Sequence, residues 1–369
     1  MENHVKKLKD FYEMKKDAPI VQQEFGFYCM DRWKSEGHIT EDTDIDKLFG
    51  YDPSGKHSVW LLGWCEAALE PVFDEEVLED RGKHELIRDF AGRSVLVFKG
   101  RRNGFMPEYV DHPVKDMYTW EKNIKWRMNY DTPERLKLIK NHIPSAIQAQ
   151  EKEHVIVQHV VGGYMYLRSL MGPEEVLYMF YDMPELIHDC METWFTLADK
   201  TIADIQKHVT LDELFLAEDI CYNTGPLISP DMMREFLFPY YKQLIENIKK
   251  RQIDKNKHLY LQIDTDGHAQ AVIPVYQELG MDYMSPFEVA SGCDVVELRK
   301  KYPELRMRGG IDKRILAEGE AAIDREVERI MPFMKRHGGY IPTCDHGVPE
   351  EVSFSNYMHY RKRMLEYSK

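Results

Sequence analysis

The sequence predicts an α/β chain folded as a (β/α)8 TIM barrel, extended by N-terminal helices and a small antiparallel β element. Three observations predict it. From about residue 130, long helical patterns alternate six times with short apolar strands, which implies a parallel sheet covered by helices. No Pro/Ser-rich linker or short-period repeat interrupts the alternation, so residues 1–369 read as a single barrel domain. The length, 369 residues, falls within the roughly 200 to over 400 residues that such barrels occupy.

In chain order, residues 1–56 read as a helical extension. MENHVKKLKDFYEMKKD alternates charged and apolar residues at helical spacing and lacks the apolar core and cleavage site of a signal peptide. A first strand is expected at 59–62. Residues 74–99 follow a period near two, broken at Arg81-Gly82 and Ala91-Gly92, and read as an inserted antiparallel meander. Residues 95–98 are also counted as a barrel strand. The other six strands are expected at 154–160, 214–217, 259–263, 283–286, 305–308 and 340–343, which completes eight.

Composition excludes several classes. A formal charge of −14 disfavours nonspecific affinity for nucleic acid or an anionic membrane, both of which need clustered Lys and Arg. No run approaches the roughly 18 apolar residues of a membrane span, so a soluble, cytoplasmic protein is expected. Six cysteines without CxxC spacing argue for reduced thiols over a disulfide scaffold or zinc ribbon. A homodimer is the commonest prior for assembly.

The densest chemistry lies in GGYIPTCDHGVP, residues 338–349, where Cys344, Asp345 and His346 follow a short strand and precede a helix starting near Ser353. Strand ends of a barrel share one mouth, so the other strand-end residues can be gathered with them. These are Trp64, Cys65 and Glu66; Gly162, Gly163 and Tyr164; Glu218 and Asp219; Asp264, Asp266 and His268; Glu288; and Asp312-Lys313. So many carboxylates out of water need protons, basic residues or a cation beside them. A divalent metal, with zinc first, is the economical answer: Asp264 or Asp266 with His346 and Cys344 or Glu288 would supply three ligands. Plainer readings stand beside these. Asp264-Thr265-Asp266-Gly267 is also a good Asx-turn sequence, Asp312-Lys313 can be an internal ion pair, and a lone Gly pair is no phosphate loop. Trp64, Tyr164, Tyr222 and Phe287 could stack an aromatic ring or simply form walls.

Four stretches carry a resemblance to a known family: GFMPEYVDHPVKD (104–116), LAEDICYNTGPLISPDMMREFLFPYYK (216–242), GCDVVELRKKYPELRMRGGIDKRIL (292–316) and GGYIPTCDHGVPEEVSFSNY (338–357). Over roughly residues 57–365 the chain resembles the uroporphyrinogen decarboxylase superfamily, in particular its corrinoid-dependent methyltransferase branch linked to demethylation of methoxylated compounds. The resemblance implies a (β/α)8 barrel and a methyl group passed from a small methylated substrate to the Co(I) corrinoid of a partner protein, with zinc assistance. True decarboxylases carry an RQAGR-like stretch after the first strand. This chain has WLLGWCE at 60–66, with Glu66 and no arginine. The zinc methyltransferases' His-x-Cys maps onto Gln262 and Asp264, and their last ligand onto His346, which leaves an oxygen-rich set of Asp264, Glu288 and His346 as the substitute.

The expected catalytic residues are therefore His346, Asp264, Asp266 and Glu288. The candidate metal ligands are Asp264, Glu288, Cys344 and His346, and the expected substrate contacts are Trp64, Glu66, Tyr164, Glu218, Asp219 and Tyr222. Two other functions stay open: a lyase decarboxylating a smaller acid, with His346 and Asp266 as proton donor and charge stabiliser, and a noncatalytic ligand-binding barrel.

Overall fold

The computed structural model describes residues 2–100 and 107–369, so residues 104–106 at the head of the first quoted stretch lie outside the described residues. Strands β1 (Lys56–Leu62), β2 (Glu76–Arg81), β3 (His84–Arg88), β4 (Ser94–Phe98) and β5 (Glu108–Asp111) precede the long helix Pro133–Glu151. Then come β6 (Val155–Val161), β7 (Glu213–Ala217), the two-residue strands β8 (Cys221–Tyr222) and β9 (Gly225–Pro226), β10 (Tyr260–Asp264), β11 (Tyr283–Phe287), β12 (Arg306–Gly309) and β13 (Tyr340–Ile341).

Seven strands form one sheet in the order β1-β6-β7-β10-β11-β12-β13, every adjacent pair parallel, with helices in the connections. This is the predicted TIM-barrel-like α/β architecture. Its central strands read VIVQHVV and ELFLA and are buried at every position, as expected of strands covered on both faces.

The strand expected at 95–98 is not in this sheet. It is β4 of a separate antiparallel sheet of order β2-β3-β4-β5, and its residues alternate between buried and half-buried or exposed positions. That alternation marks a sheet with one wet face. The turns fall where the glycines are: Gly82 adopts φ +76° while its N–H donates to Asp80, and Gly92 adopts φ +82° in a loop ordered by Asp89.

N-terminal residues complete the barrel-like sheet at two places. Helix α1 (Asn3–Tyr12) sends Leu8, Phe11 and Tyr12 into a core cluster with Val155, Val157, Phe215, Tyr283 and Ile341. These are residues of β6, β7, β11 and β13, so α1 forms the floor beneath them. Farther on, residues 20–28 run beside the chain after β13: Phe27 bridges Val348 in parallel, and Glu24 accepts the Cys344 N–H at 2.7 Å. All six cysteines are free thiols. Among the described residues no helix is long and apolar enough to cross a membrane.

Candidate active site

Parallel pairing puts the C-terminal ends of the strands at one level: Asp264 is in register with both Ala217 and Ser285. Two cavities open there and share Phe25, Trp64 and Asp264 as walls. The upper one, about 200 Å³, is lined by Cys65, Asp219, Asp266 and His346 among others. The deeper one, about 330 Å³, runs down the sheet interior past His159, Gln262 and Arg308 to Lys56 and Glu213.

His346 is held between two carboxylates, with Nε2 3.3 Å from Asp266 Oδ2 and Nδ1 3.4 Å from Glu288 Oε1. Glu288 is itself fixed, its Oε2 accepting the Gly267 N–H at 2.6 Å and the Ser291 hydroxyl at 3.1 Å. The hydrogen bond with Asp266 is the largest cause holding the imidazole pKa above its ordinary value, against partial burial. Asp264 accepts the Ser285 hydroxyl at 2.6 Å, and burial pushes its carboxyl up to about 7. Asp219 pairs with Arg168 at 2.7 Å; it sits at φ +42°, with its N–H donated to the Asp264 carbonyl.

Several expected residues face elsewhere. Cys344 is fully buried, and burial near Glu24 holds its thiol far above the usual range. Asp345 is also buried, tied to Lys313 at 3.0 Å and to the Val289 N–H. Lys313 therefore pairs with Asp345, while Asp312 pairs with Arg314 at 2.7 Å, in place of the Asp312-Lys313 pair. Glu218 is behind the wall, accepting the Tyr164 N–H and the Tyr241 hydroxyl, and Tyr164 and Phe287 are fully buried. Glu66 is neutralised by Arg93 at 3.0 Å, and Tyr222 projects into solvent. None of Glu66, Tyr164, Glu218 and Tyr222 lines either cavity. Gly162 is a packing glycine: a Cβ there would lie 2.6 Å from Glu218 Cα.

The proposed zinc ligands do not fit the metal as they are placed. Among the described residues the donor atoms of Asp264, Glu288, Cys344 and His346 form no group within ligating reach of one another; the group that does is Glu2, His4 and His154, on the α1 side. Cys344 is sealed in the core, and His346 lies between two carboxylates that favour the protonated ring. A ligating imidazole must be deprotonated at the metal.

Sequence reasoning missed Phe25, Trp60, His159, Arg168 and Arg308. Arg308 carried the readable signal: in RMRG, alternation sets Arg306 and Arg308 on one face of the strand, opposite the buried Met307.

The uroporphyrinogen decarboxylase family profile matches residues 105–367. The chain belongs to that family. A solved methyltransferase from Methanosarcina mazei shares its fold at a TM-score of 0.58 and 13% identity, covering 98% of this chain and 98% of that one. A B12-independent methionine synthase from Shewanella is 11% identical over 62% of this chain and 65% of its own, at a TM-score of 0.36. No curated protein matches by sequence.

Burial pushes the Glu218 carboxyl from its ordinary value up to about 7, against the opposing hydrogen bonds from Tyr241 and Tyr164. The folded state thus holds this proton more tightly than the unfolded state. The associated stability is complete below about pH 4.5 and is lost as pH rises through about 7. Melting temperatures of the wild type should fall across that window, whereas Glu218→Gln, neutral throughout, should show a shallower slope. Identical slopes would remove Glu218 as the linked group.

Proposed function

We propose that the chain is a methyltransferase that moves a methyl group from a small methoxylated or methylated compound to the Co(I) corrinoid of a partner protein. The observation that supports this reading most is His346, a half-buried imidazole at the cavity mouth whose protonated form is favoured by Asp266 and Glu288. Opening a methyl ether leaves an anionic oxygen, and a positioned acid that protonates it as the C–O bond breaks lowers the barrier. His346 is that acid once the leaving oxygen takes the place of Asp266 beside Nε2: the Nε2 proton passes to that oxygen, while Glu288 at Nδ1 orients the ring and favours its charged form. The corrinoid, when its carrier protein is docked, supplies the nucleophile that takes the methyl carbon.

Partly exposed aromatic residues Trp64 and Phe25 border the mouth. Family membership and the methyltransferase likeness support the reading without reaching the substrate. Purified protein mixed with Co(I) cobalamin and a panel of methoxylated compounds should form methylcobalamin from at least one donor, seen as loss of the Co(I) absorption. No product from any donor, with free cobalamin or a corrinoid protein, would end the proposal.

Uroporphyrinogen is not expected to react. The arginine stretch that clamps the many carboxylates of a tetrapyrrole is missing after β1. Coproporphyrinogen formation above background would contradict this. The His346–Asp266 pair also favours a second reading, a lyase protonating the carbanion left when a smaller acid loses carbon dioxide. Carbon dioxide release from candidate acids without cobalamin would select it.

A further inference from the structure

Interiors of (β/α)8 barrels are ordinarily filled by layers of branched side chains. Here the interior holds a cavity of about 330 Å³, and the charges around it are not all matched. Lys56 is met by Glu213 at 3.1 Å, and the Tyr12 hydroxyl donates to the same carboxylate. Arg308 makes no ion pair among the described residues, and its buried Nε has no hydrogen-bond partner. Asp264, in the same wall, is turned to the Ser285 hydroxyl. The Tyr283 hydroxyl and, electrostatically, Asp264 are the neighbours of Arg308, and a guanidinium with no ion pair and an unpartnered Nε beside a cavity keeps N–H donors for an entering anion.

Opposite stands a continuous aromatic surface. Trp60 stacks on His159 with centroids 3.6 Å apart, His159 lies 4.5 Å from Phe215, and Phe215 stacks on Trp64 at 5.3 Å. Burial pushes the His159 ring down to about 3, so this wall is uncharged at neutral pH. Trp60 and Trp64 remain 50% and 39% exposed, which leaves ring faces free to cover a ligand.

We propose that the interior cavity binds a small planar organic carboxylate, its anion on the Arg308 guanidinium and its ring against Trp60 and Trp64. The assignment rests on the reading that this cavity is the substrate site. A guanidinium offers two parallel N–H donors that match a carboxylate, and the flat apolar wall selects a ring over an aliphatic chain. With Glu213 already paired at the floor, one negative charge satisfies the site and a polyanion does not.

Benzoate and its neutral isostere benzamide, titrated into the full chain and followed by tryptophan fluorescence, test this. Benzoate should give a saturable change and bind about tenfold or more tightly than benzamide. Arg308→Gln should weaken benzoate by roughly tenfold to a hundredfold and leave benzamide unchanged, with Arg308→Lys in between. Equal affinity for the two probes, binding of neither, or full benzoate affinity in a folded Arg308→Gln protein would overturn the site. Should that variant fail to fold, the wild-type ratio and Arg308→Lys still decide. The titration needs no methyl acceptor. Benzoate bound through Arg308 with no methyl transfer from any donor sinks the methyltransferase reading alone; methyl transfer from neutral ethers with no benzoate binding sinks the carboxylate site alone.

Discussion

His346→Ala is expected to lower methyl transfer by roughly two to four orders of magnitude, the usual contribution of a positioned general acid, while leaving the fold intact. The residue is half-buried at a cavity wall and carries no core packing load, so its removal should shift the thermal midpoint little. The pH dependence gives an independent readout. The acid works protonated, so activity should fall on the alkaline side, at a pH above the ordinary histidine value because the Asp266 bond raises the His346 pKa. Asp266→Asn removes the largest cause of that shift and should move the alkaline limb to lower pH. Turnover retained in His346→Ala, or a limb that stays fixed in Asp266→Asn, would reject this histidine as the acid.

Phe11→Ala should produce the largest loss of stability, about 3–5 kcal/mol. Phe11 is 4% exposed, packs edge-on against Tyr283 at 5.2 Å, and occupies the floor cluster where alternatives to fill the void are few. A loss of that size is a large part of the roughly 5–15 kcal/mol that holds an average domain together. Tyr12→Phe keeps the ring and removes one hydroxyl from the buried Glu213, so about 1–3 kcal/mol is expected. Chemical denaturation of both variants checks the order; a Phe11→Ala cost below 1 kcal/mol would mean that α1 is not a structural floor.

The parallel strands were legible because β6, β7 and β11 are short, mostly apolar runs, broken only by Gln158-His159, Glu213 and Ser285, and buried at every position. Residues 95–98 resemble such a run in composition; their alternation, seen beside the 81–82 and 91–92 turns, assigns them to the meander and not to the barrel. Site residues at strand ends were legible as a set, and His346, Asp264, Asp266, Asp219 and Trp64 do line one mouth. Which neighbour turns inward was not. Cys344 and Asp345 adjoin His346 in sequence, yet one is drawn toward Glu24 and the other toward Lys313, partners far away in the chain. Phe25 was invisible for a related reason: nothing in residues 20–28 announces that they lie beside the last strand.

That last contact also bears on how the protein is made. Glu24 meets Tyr357 across 333 positions of sequence, and Gln22 meets Arg361 across 339. Native pairings of such separation raise contact order and slow folding. During synthesis at about 5–20 residues per second, the early segment waits on the order of tens of seconds before its partners leave the ribosome. Apolar Ile20 and Phe27 spend that time uncovered, so they form a natural stretch for a chaperone to grip. His346 belongs to the late partner, so the site is assembled only after the segment that carries it has emerged.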